Sequence, residues 1–341
     1  RDCVGRSGRW LAREIMSKTG KGNQLRLSAI VVRDVPDADV LEKRASLLRT
    51  DSVHGPFSGT VRADFQNSAL IINGTTVHLI IASNPEEIDY TAYGIAEALI
   101  IDNTGAFRDK TALSRHLIAK GVSKVLLTAP GKGIPNIVHG VNHTDYNPDT
   151  TKIYSAASCT TNAITPILKV IEDSLGIKKG HLETIHAYTN DQNLVDNMHS
   201  KLRRGRAAGL NMVLTETGAG EAVAKALPSL KGKLSSNAIR VPVPNGSLTD
   251  LTINVKKDVS VQEVNNAFYT FAKANPTTFS YTDIPLVSID ISGSPYSCIY
   301  DSEMTSVIGR MVKIIGWYDN ESGYSHRLRD LVVYAESLNK N

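Results

Sequence analysis

A chain of 341 residues, 41% hydrophobic and 21% charged, has the length of about two globular domains of roughly 150 residues each. It holds no apolar run near the roughly 18 residues of a membrane helix, so no membrane partner is expected, and its net charge of +4 is too mild and too scattered outside "KLRRGR" (201–206) to make nucleic acid the main partner. Three widely spaced cysteines, Cys3, Cys159 and Cys298, with no CxxC pair, argue against a disulfide scaffold or a metal site and fit a reducing, cytoplasmic compartment.

The chain opens on "RDCVGRSGRW" with no signal-type segment, and so abrupt a start leads us to expect sequence ahead of Arg1. Gly5 and Gly8 have the spacing of the second and third glycines of a dinucleotide-binding turn, with Arg6 between them and Cys3 at the first-glycine position. That signal is weak alone, because small residues also suit an ordinary helix start. It gains weight from the amphipathic pattern "RWLAREIMSKTG" and from Asp34, which ends the next strand-like run where a carboxylate would accept ribose hydroxyls. An acid there favours NAD over NADP.

Four apolar runs then read as buried strands: 25–34, 75–83, 98–105 and 123–131. Between the last two, Leu113, Leu117 and Ile118 fall on one helical face, which makes a strand-helix-strand crossover. This alternation predicts a mostly parallel, doubly wound sheet. The strand ends "RD", "DNTG" and "TAPG" are polar or glycine-containing, as befits the ligand edge of such a sheet.

The stretch "SAASCTTNAITP" (155–166) places Cys159 where a strand gives way to a helix. The amides of a helix N-terminus favour a thiolate and would lower a thiol pKa that starts near 8.5. Pro166 predicts that the helix begins or kinks close to it. The later pattern, "HLETIHAYTN", "SSNAIRVPVPNGSLTDLTINVKKD", a helix at "VQEVNNAFYTFAKAN" and strands to "MVKIIGWYDN", predicts an antiparallel sheet with helices on one face. Leu328, Leu331, Val332, Ala335 and Leu338 then form the stripe of a closing amphipathic helix.

His186 ends a predicted strand and is a candidate base for the Cys159 thiol. Each residue alone also suits a structural role, and together they also suit a peptidase. A thiol that captures an aldehyde beside a dinucleotide uses both halves of the chain, which a peptidase does not.

Six motifs, "SAASCTTN", "HAYTNDQ", "LRRGRAA", "TETGA", "IRVPVPN" and "WYDNESGYS", stand in the order and spacing of phosphorylating glyceraldehyde-3-phosphate dehydrogenases, and the resemblance spans essentially the whole chain. It implies a Rossmann-type NAD-binding domain over residues 1–158, completed by a helix over 323–341. An α+β catalytic domain with a mostly antiparallel sheet would cover 159–322. It further implies oxidation of glyceraldehyde 3-phosphate with NAD and inorganic phosphate in glycolysis or gluconeogenesis, through a thiohemiacetal and a thioester on Cys159, with His186 as base.

By the same resemblance Thr189 and Arg240 would bind the substrate's phosphate, and Ser158, Thr160, Thr217 and Gly218 the attacking phosphate, with Arg204 between the two. Gly5, Arg6, Gly8, Asp34, Thr104, Gly105, Asn320 and Tyr324 would contact NAD, Asn320 at the carboxamide and Tyr324 beside the nicotinamide ring. A homotetramer is implied by the resemblance alone. The family carries glycine where Cys3 stands and an aliphatic residue where Ser7 stands, which predicts weakened NAD binding. Two rivals follow: a relative acting on erythrose 4-phosphate, and a non-enzymatic binding protein that keeps the fold.

Overall fold

The computed structural model describes residues 5–18, 25–33, 38–147 and 150–338; Cys3 and Asp34 lie outside them. The described residues of Arg1–Ile137, Asp145–Ala157 and Leu328–Asn341 form one compact unit, and Val138–Thr144 with Ser158–Arg327 form another.

In the first unit, α1 (Arg6–Lys18) buries Leu11, Ala12, Ile15 and Met16, an apolar stripe at helical spacing, with Arg13 and Glu14 also buried. After β1 (Ala29–Val32) and α2 (Ala38–Arg49) come the short pair β2 (Thr50–Asp51) and β3 (Gly55–Pro56). β4 (Val61–Asp64), β5 (Ala69–Ile72) and β6 (Thr75–Ile81) follow, in a sheet ordered β1-β6-β5-β4. β1 runs parallel to β6, while β4, β5 and β6 form antiparallel hairpins. The β5–β6 turn is Asn73-Gly74, both at positive φ (49° and 79°). A tight two-residue hairpin demands that conformation, which asparagine and glycine tolerate best. Val32, Leu70, Ile72, Val77 and Leu79 join Met16, Leu41 and Leu48 in one core.

A second sheet in this unit is fully parallel, ordered β7 (Ala98–Asp102), β8 (Val122–Leu127) and β9 (Ile153–Ser155). The predicted strands 25–34, 75–83, 98–105 and 123–131 thus correspond to β1, β6, β7 and β8, divided between two sheets. The crossover helix departs from expectation. α3 (Lys110–Ser114), capped by the Asp109 carboxylate on Ala112 N–H, tightens into a 3-10 turn over Arg115–Ile118. At about three residues per turn the inward positions become Leu113, His116 and Ala119, so Ile118 is left 69% exposed.

The second unit carries α4 (Cys159–Ser174), β10 (Ile177–Ala187), β11 (Val213–Glu216), α5 (Ala219–Ala226), β12 (Leu234–Val241) and β13 (Ser247–Val255). α6 (Val261–Ala274), β14 (Phe279–Thr282), β15 (Cys298–Ile308), β16 (Met311–Tyr318) and the start of α7 (Ser322–Ser337) complete it. Its seven strands are ordered β11-β12-β10-β13-β16-β15-β14. The β10–β12 and β14–β15 pairs are parallel and the other four antiparallel.

Alternate residues of β13 point inward, so Leu251, Ile253 and Val255 meet Ile164, Ile167, Leu168 and Ile171 of α4 in the main core. α6 begins with a complete capping box, Ser260 and Glu263 each satisfying the other's backbone N–H. α7 buries Leu328, Leu331, Val332 and Ala335 as its spacing predicts. Among the described residues no helix is long and apolar enough to cross a membrane.

Candidate active site

The approach to Cys159 is set by its own backbone. Ser155 Oγ donates to Ala129 C=O at 2.6 Å, and Ala157, fully buried, takes the left-handed conformation at φ 57°. This costs a non-glycine residue of order 1 kcal/mol and turns the chain sharply into α4. Ser158 is the N-cap: its Oγ accepts from Thr161 N–H at 3.1 Å. Cys159 is therefore the first helical residue. Pro166, near which the helix was expected to begin or kink, lies inside it.

The partner of Cys159 comes from the sheet. His186 stands one residue from the end of β10, opposite Arg240 in the parallel register of β10 with β12. Its Nε2 lies 3.6 Å from Cys159 Sγ. Nδ1 is 2.7 Å from the Ala187 carbonyl, and Arg240 Nη1, 2.9 Å from Nδ1, donates to that same carbonyl at 3.0 Å. In the tautomer with the proton on Nδ1, donated to that carbonyl, the Nε2 lone pair faces the sulfur. The Tyr318 ring meets His186 edge-on with centroids 6.0 Å apart, and its hydroxyl joins Thr160 Oγ1 (3.0 Å) to Thr184 Oγ1 (2.8 Å).

Electrostatics keep this pair neutral at rest. Burial, with the charges of Arg240 and Arg204, outweighs the hydrogen bond to Ala187 and pulls the imidazole down to about 3. Burial also pushes the Cys159 thiol above its ordinary value, against the opposing pull of Arg240, the Thr160 hydroxyl and the first amides of α4. The expected lowering by the helix N-terminus is thus present but is outweighed by desolvation. Arg240 itself is drawn down by burial, and its Nε is buried with no protein partner among the described residues. A buried, underused guanidinium N–H is a site for an anion.

A second cation approaches on the loop after β10. Arg204 Nε donates to Thr215 Oγ1 on β11 at 3.0 Å, and its Nη1 is paired with Asp191, which also faces His199. The hydroxyls of Thr189 and Thr217 make no side-chain hydrogen bond among the described residues, while the Thr217 carbonyl is held by Ser236 Oγ. Gly218 caps α5, and a side chain there would meet nothing within 4 Å. α5 packs against α4. Thr160 Oγ1 lies 3.0 Å from the Tyr318 hydroxyl.

Asn320 is nearly buried, and its Oδ1 accepts from Ser247 Oγ at 2.8 Å; Ser247 Oγ in turn accepts from Ala187 N–H at 3.1 Å. The amide NH2 of Asn320 is thereby oriented as a donor. The Tyr324 phenol is buried and pushed well up by desolvation, then by the Cys159 charge, so it stays neutral. Among the described residues no group of His, Cys, Asp or Glu could hold a metal ion.

The remaining candidates lie in the first unit. Gly5 accepts the first helical bond of α1 from Arg9 N–H at 3.0 Å, so the amides of Ser7 and Gly8 precede the intrahelical ladder. Arg6 is committed to Asp51 by two hydrogen bonds of 3.0 Å. Thr104 closes a turn on Asp102 Oδ1 through its N–H (2.7 Å) and hydroxyl (2.8 Å), and Gly105 takes φ 66°. Asp102 also faces buried His116 at 3.0 Å.

Residues 158–320 match the family model for the glyceraldehyde 3-phosphate dehydrogenase C-terminal domain, and residues 2–110 match that for its NAD binding domain. A glyceraldehyde-3-phosphate dehydrogenase-like protein of Pseudomonas aeruginosa is 52% identical over 94% of this chain and 70% of its own length. Glyceraldehyde-3-phosphate dehydrogenase 1 of Bacillus cereus is 41% identical over 92% of this chain and 93% of its own. The enzyme of Geobacillus stearothermophilus is 41% identical over 91% of both.

The chain belongs to the glyceraldehyde-3-phosphate dehydrogenase family. It is an NAD-dependent oxidoreductase that acts on an aldehyde.

The residues fit this family's cofactor. The leading amides of α1 suit a pyrophosphate, and the amide NH2 of Asn320 suits a carboxamide oxygen. Several residues that hydrogen-bond around the candidate site escaped sequence reasoning. Tyr318 and Thr184 are brought together only by the β10-β13-β16 order. Ser247, which fixes Asn320, carries no signal beyond its strand. Asp191 lies within "HAYTNDQ" and was readable as a partner for the basic run that follows.

Proposed function

We propose that this chain oxidises and phosphorylates glyceraldehyde 3-phosphate to 1,3-bisphosphoglycerate. The observation that carries this reading is Cys159 Sγ at the start of α4, 3.6 Å from Nε2 of His186, with Arg240 alongside and its Nε unspent.

The steps follow from these groups. Cys159 Sγ attacks the aldehyde carbon while its proton passes to His186 Nε2 and on to the former carbonyl oxygen, giving a thiohemiacetal. NAD, when bound, supplies the hydride acceptor. His186 removes the thiohemiacetal hydroxyl proton as the carbon is oxidised, leaving a thioester on Cys159. A phosphate oxygen attacks the thioester carbonyl, the Cys159–carbon bond breaks, and the thiolate recovers its proton from His186.

The two arginines do more than hold anions. Their charges depress His186, so phosphate groups seated on Arg240 and Arg204 would relieve that depression and strengthen the base when substrate is present. Thr189 would serve the substrate phosphate with Arg240, and Ser158, Thr160, Thr217 and Gly218 the attacking one, with Arg204 between.

A homotetramer in a reducing, cytoplasmic compartment completes the proposal. In its favour, the 193–212 loop exposes Leu194, Met198, Leu202, Leu210 and Met212, each by 78% or more, an apolar display that marks an interaction surface.

NADH absorbance tests the activity directly. Turnover that requires glyceraldehyde 3-phosphate, NAD and phosphate together, and that vanishes in Cys159→Ser, is the expected result. Faster turnover with erythrose 4-phosphate would shift the substrate. No turnover with either aldehyde by folded, NAD-binding protein would defeat the reading.

A further inference from the structure

The side-chain amide of Asn320 has two ends, an oxygen that accepts and an NH2 that donates. Which end faces a ligand decides which ligand groups fit. That choice is made behind Asn320, by Ser247. Ser247 opens β13, the strand between β10 and β16. It pairs in register with Tyr318, the last residue of β16, and its neighbour Leu248 pairs with Ile185 of β10. Register therefore sets Ser247 beside the end of β10, where His186 and Ala187 stand, and beside the end of β16, just ahead of Asn320.

A count of protons fixes the polarity. Ser247 Oγ accepts from Ala187 N–H at 3.1 Å and donates to Asn320 Oδ1 at 2.8 Å, its only hydrogen bonds among the described residues. The Ala187 N–H can only donate, so it claims a lone pair of Ser247 whichever way Asn320 turns. Were Asn320 to present its NH2 to Ser247, Oγ would accept twice, and its own O–H, on a residue only 1% exposed, would have no acceptor. A buried donor left unpaired is costly. The O–H therefore goes to Asn320 Oδ1, and Asn320 Nδ2 is left with no protein partner among the described residues. The Ala187 peptide is pinned in turn, since its carbonyl accepts from Arg240 Nη1 at 3.0 Å and lies 2.7 Å from His186 Nδ1. One peptide thus positions both the base and, through Ser247, the amide of Asn320.

We propose that Ser247 is a positioning residue that determines cofactor specificity. It holds Asn320 as a donor, so the site takes dinucleotides whose pyridine ring carries an acceptor at the meta position and disfavours those that offer only a donor. A carboxamide complies through its carbonyl oxygen, and an acetyl group would comply equally. An amino group would set N–H against N–H. The inference deepens the reading of Asn320 as the carboxamide contact and rests on it.

Calorimetric binding of NAD, acetylpyridine adenine dinucleotide, aminopyridine adenine dinucleotide and ADP-ribose tests this without turnover. In the unsubstituted protein the acetyl analogue should bind within about threefold of NAD and the amino analogue about tenfold or more weakly, the scale of one hydrogen bond. Ser247→Ala frees the amide to turn, so the preference for acetyl over amino should shrink to about threefold or less. Ser247→Thr, which keeps the hydroxyl, should retain it. ADP-ribose, which lacks the ring, should bind alike in all three proteins; its weakening in Ser247→Ala in step with NAD would show a merely structural role and overturn the proposal. Asn320→Ala separates the two layers. If it leaves the acetyl preference intact, the reading of Asn320 fails and the proposal with it. If it abolishes the preference while Ser247→Ala keeps it, only the proposal fails. Should Ser247→Ala not fold, the unsubstituted protein decides, since equal binding of the amino and acetyl analogues would overturn the proposal.

Discussion

The arginines of the two units show two ways in which a fold uses a cation. In the first unit Arg6 is closed on Asp51 by two hydrogen bonds, and the pair leaves little for a ligand. In the second, Arg240 is held through one nitrogen on the Ala187 carbonyl while its Nε stays buried and unspent. The first arrangement stabilises structure; the second accepts the cost of an incompletely satisfied charge, which a bound anion would offset. A seven-stranded sheet fixes His186 opposite Arg240 by register, whereas the first unit divides its strands among separate smaller sheets.

Substitutions can break this contrast in graded steps. Cys159→Ser should lower kcat by about 10⁴-fold or more, the scale on which nucleophile deletions fall, with an unchanged melting curve. His186→Asn should cost about 10² to 10⁴-fold as a lost base. A pronounced loss of stability in either variant would mean that the pair holds the fold instead of performing chemistry.

Alkylation of Cys159 by iodoacetamide in the ligand-free protein reads the resting proton directly. With the thiol above its ordinary value and the imidazole near 3, the rate should rise about tenfold per pH unit from pH 6 to 9, in proportion to thiolate. A rate already level at pH 6 would show a thiolate-imidazolium pair.

Arg240→Leu should raise KM for the phosphorylated aldehyde by about 10 to 100-fold, the loss of a charge-assisted hydrogen bond of roughly 1.5–3 kcal/mol. Steady-state kinetics that show only a kcat effect would place the substrate anion elsewhere. Arg6→Ala should instead cost about 1 kcal/mol of stability, read by urea unfolding.

The sign of the accompanying pH effect is fixed by Asp51. Burial raises this carboxyl, but the N–H groups of His54 and Val53 and the charge and hydrogen bonds of Arg6 outweigh it and hold it at about 2. Its stabilisation is therefore present above the ordinary aspartate pKa near 3.9 and is lost as pH falls toward 2. In Arg6→Ala the loss should begin at the same pH, be smaller, and be complete at a higher pH.

Much of this was legible in the chain. Cys159 announced itself by its polar neighbours ahead of an apolar helical run, and His186 by its place at a strand end. The features that escaped are those set by distant partners or by fine geometry. Pro166 left the helix start open because only local backbone rules were at hand, while the Ser158 cap on Thr161 N–H fixes it. Ile118 satisfied a 3.6-residue period that the 3-10 turn replaces. The hydroxyl link from Thr160 through Tyr318 to Thr184 joins residues far apart in sequence, and no spacing encodes it. The direction of the thiol shift depends on burial, which a helix-terminus rule does not count.

The most direct test of the central claim is mass spectrometry of the protein mixed with NAD and glyceraldehyde 3-phosphate in the absence of phosphate. An acyl adduct on the Cys159 peptide that disappears on adding phosphate, with release of the acyl phosphate, is the predicted result. An unmodified Cys159 after stoichiometric NADH formation, or an adduct on another residue, would contradict it.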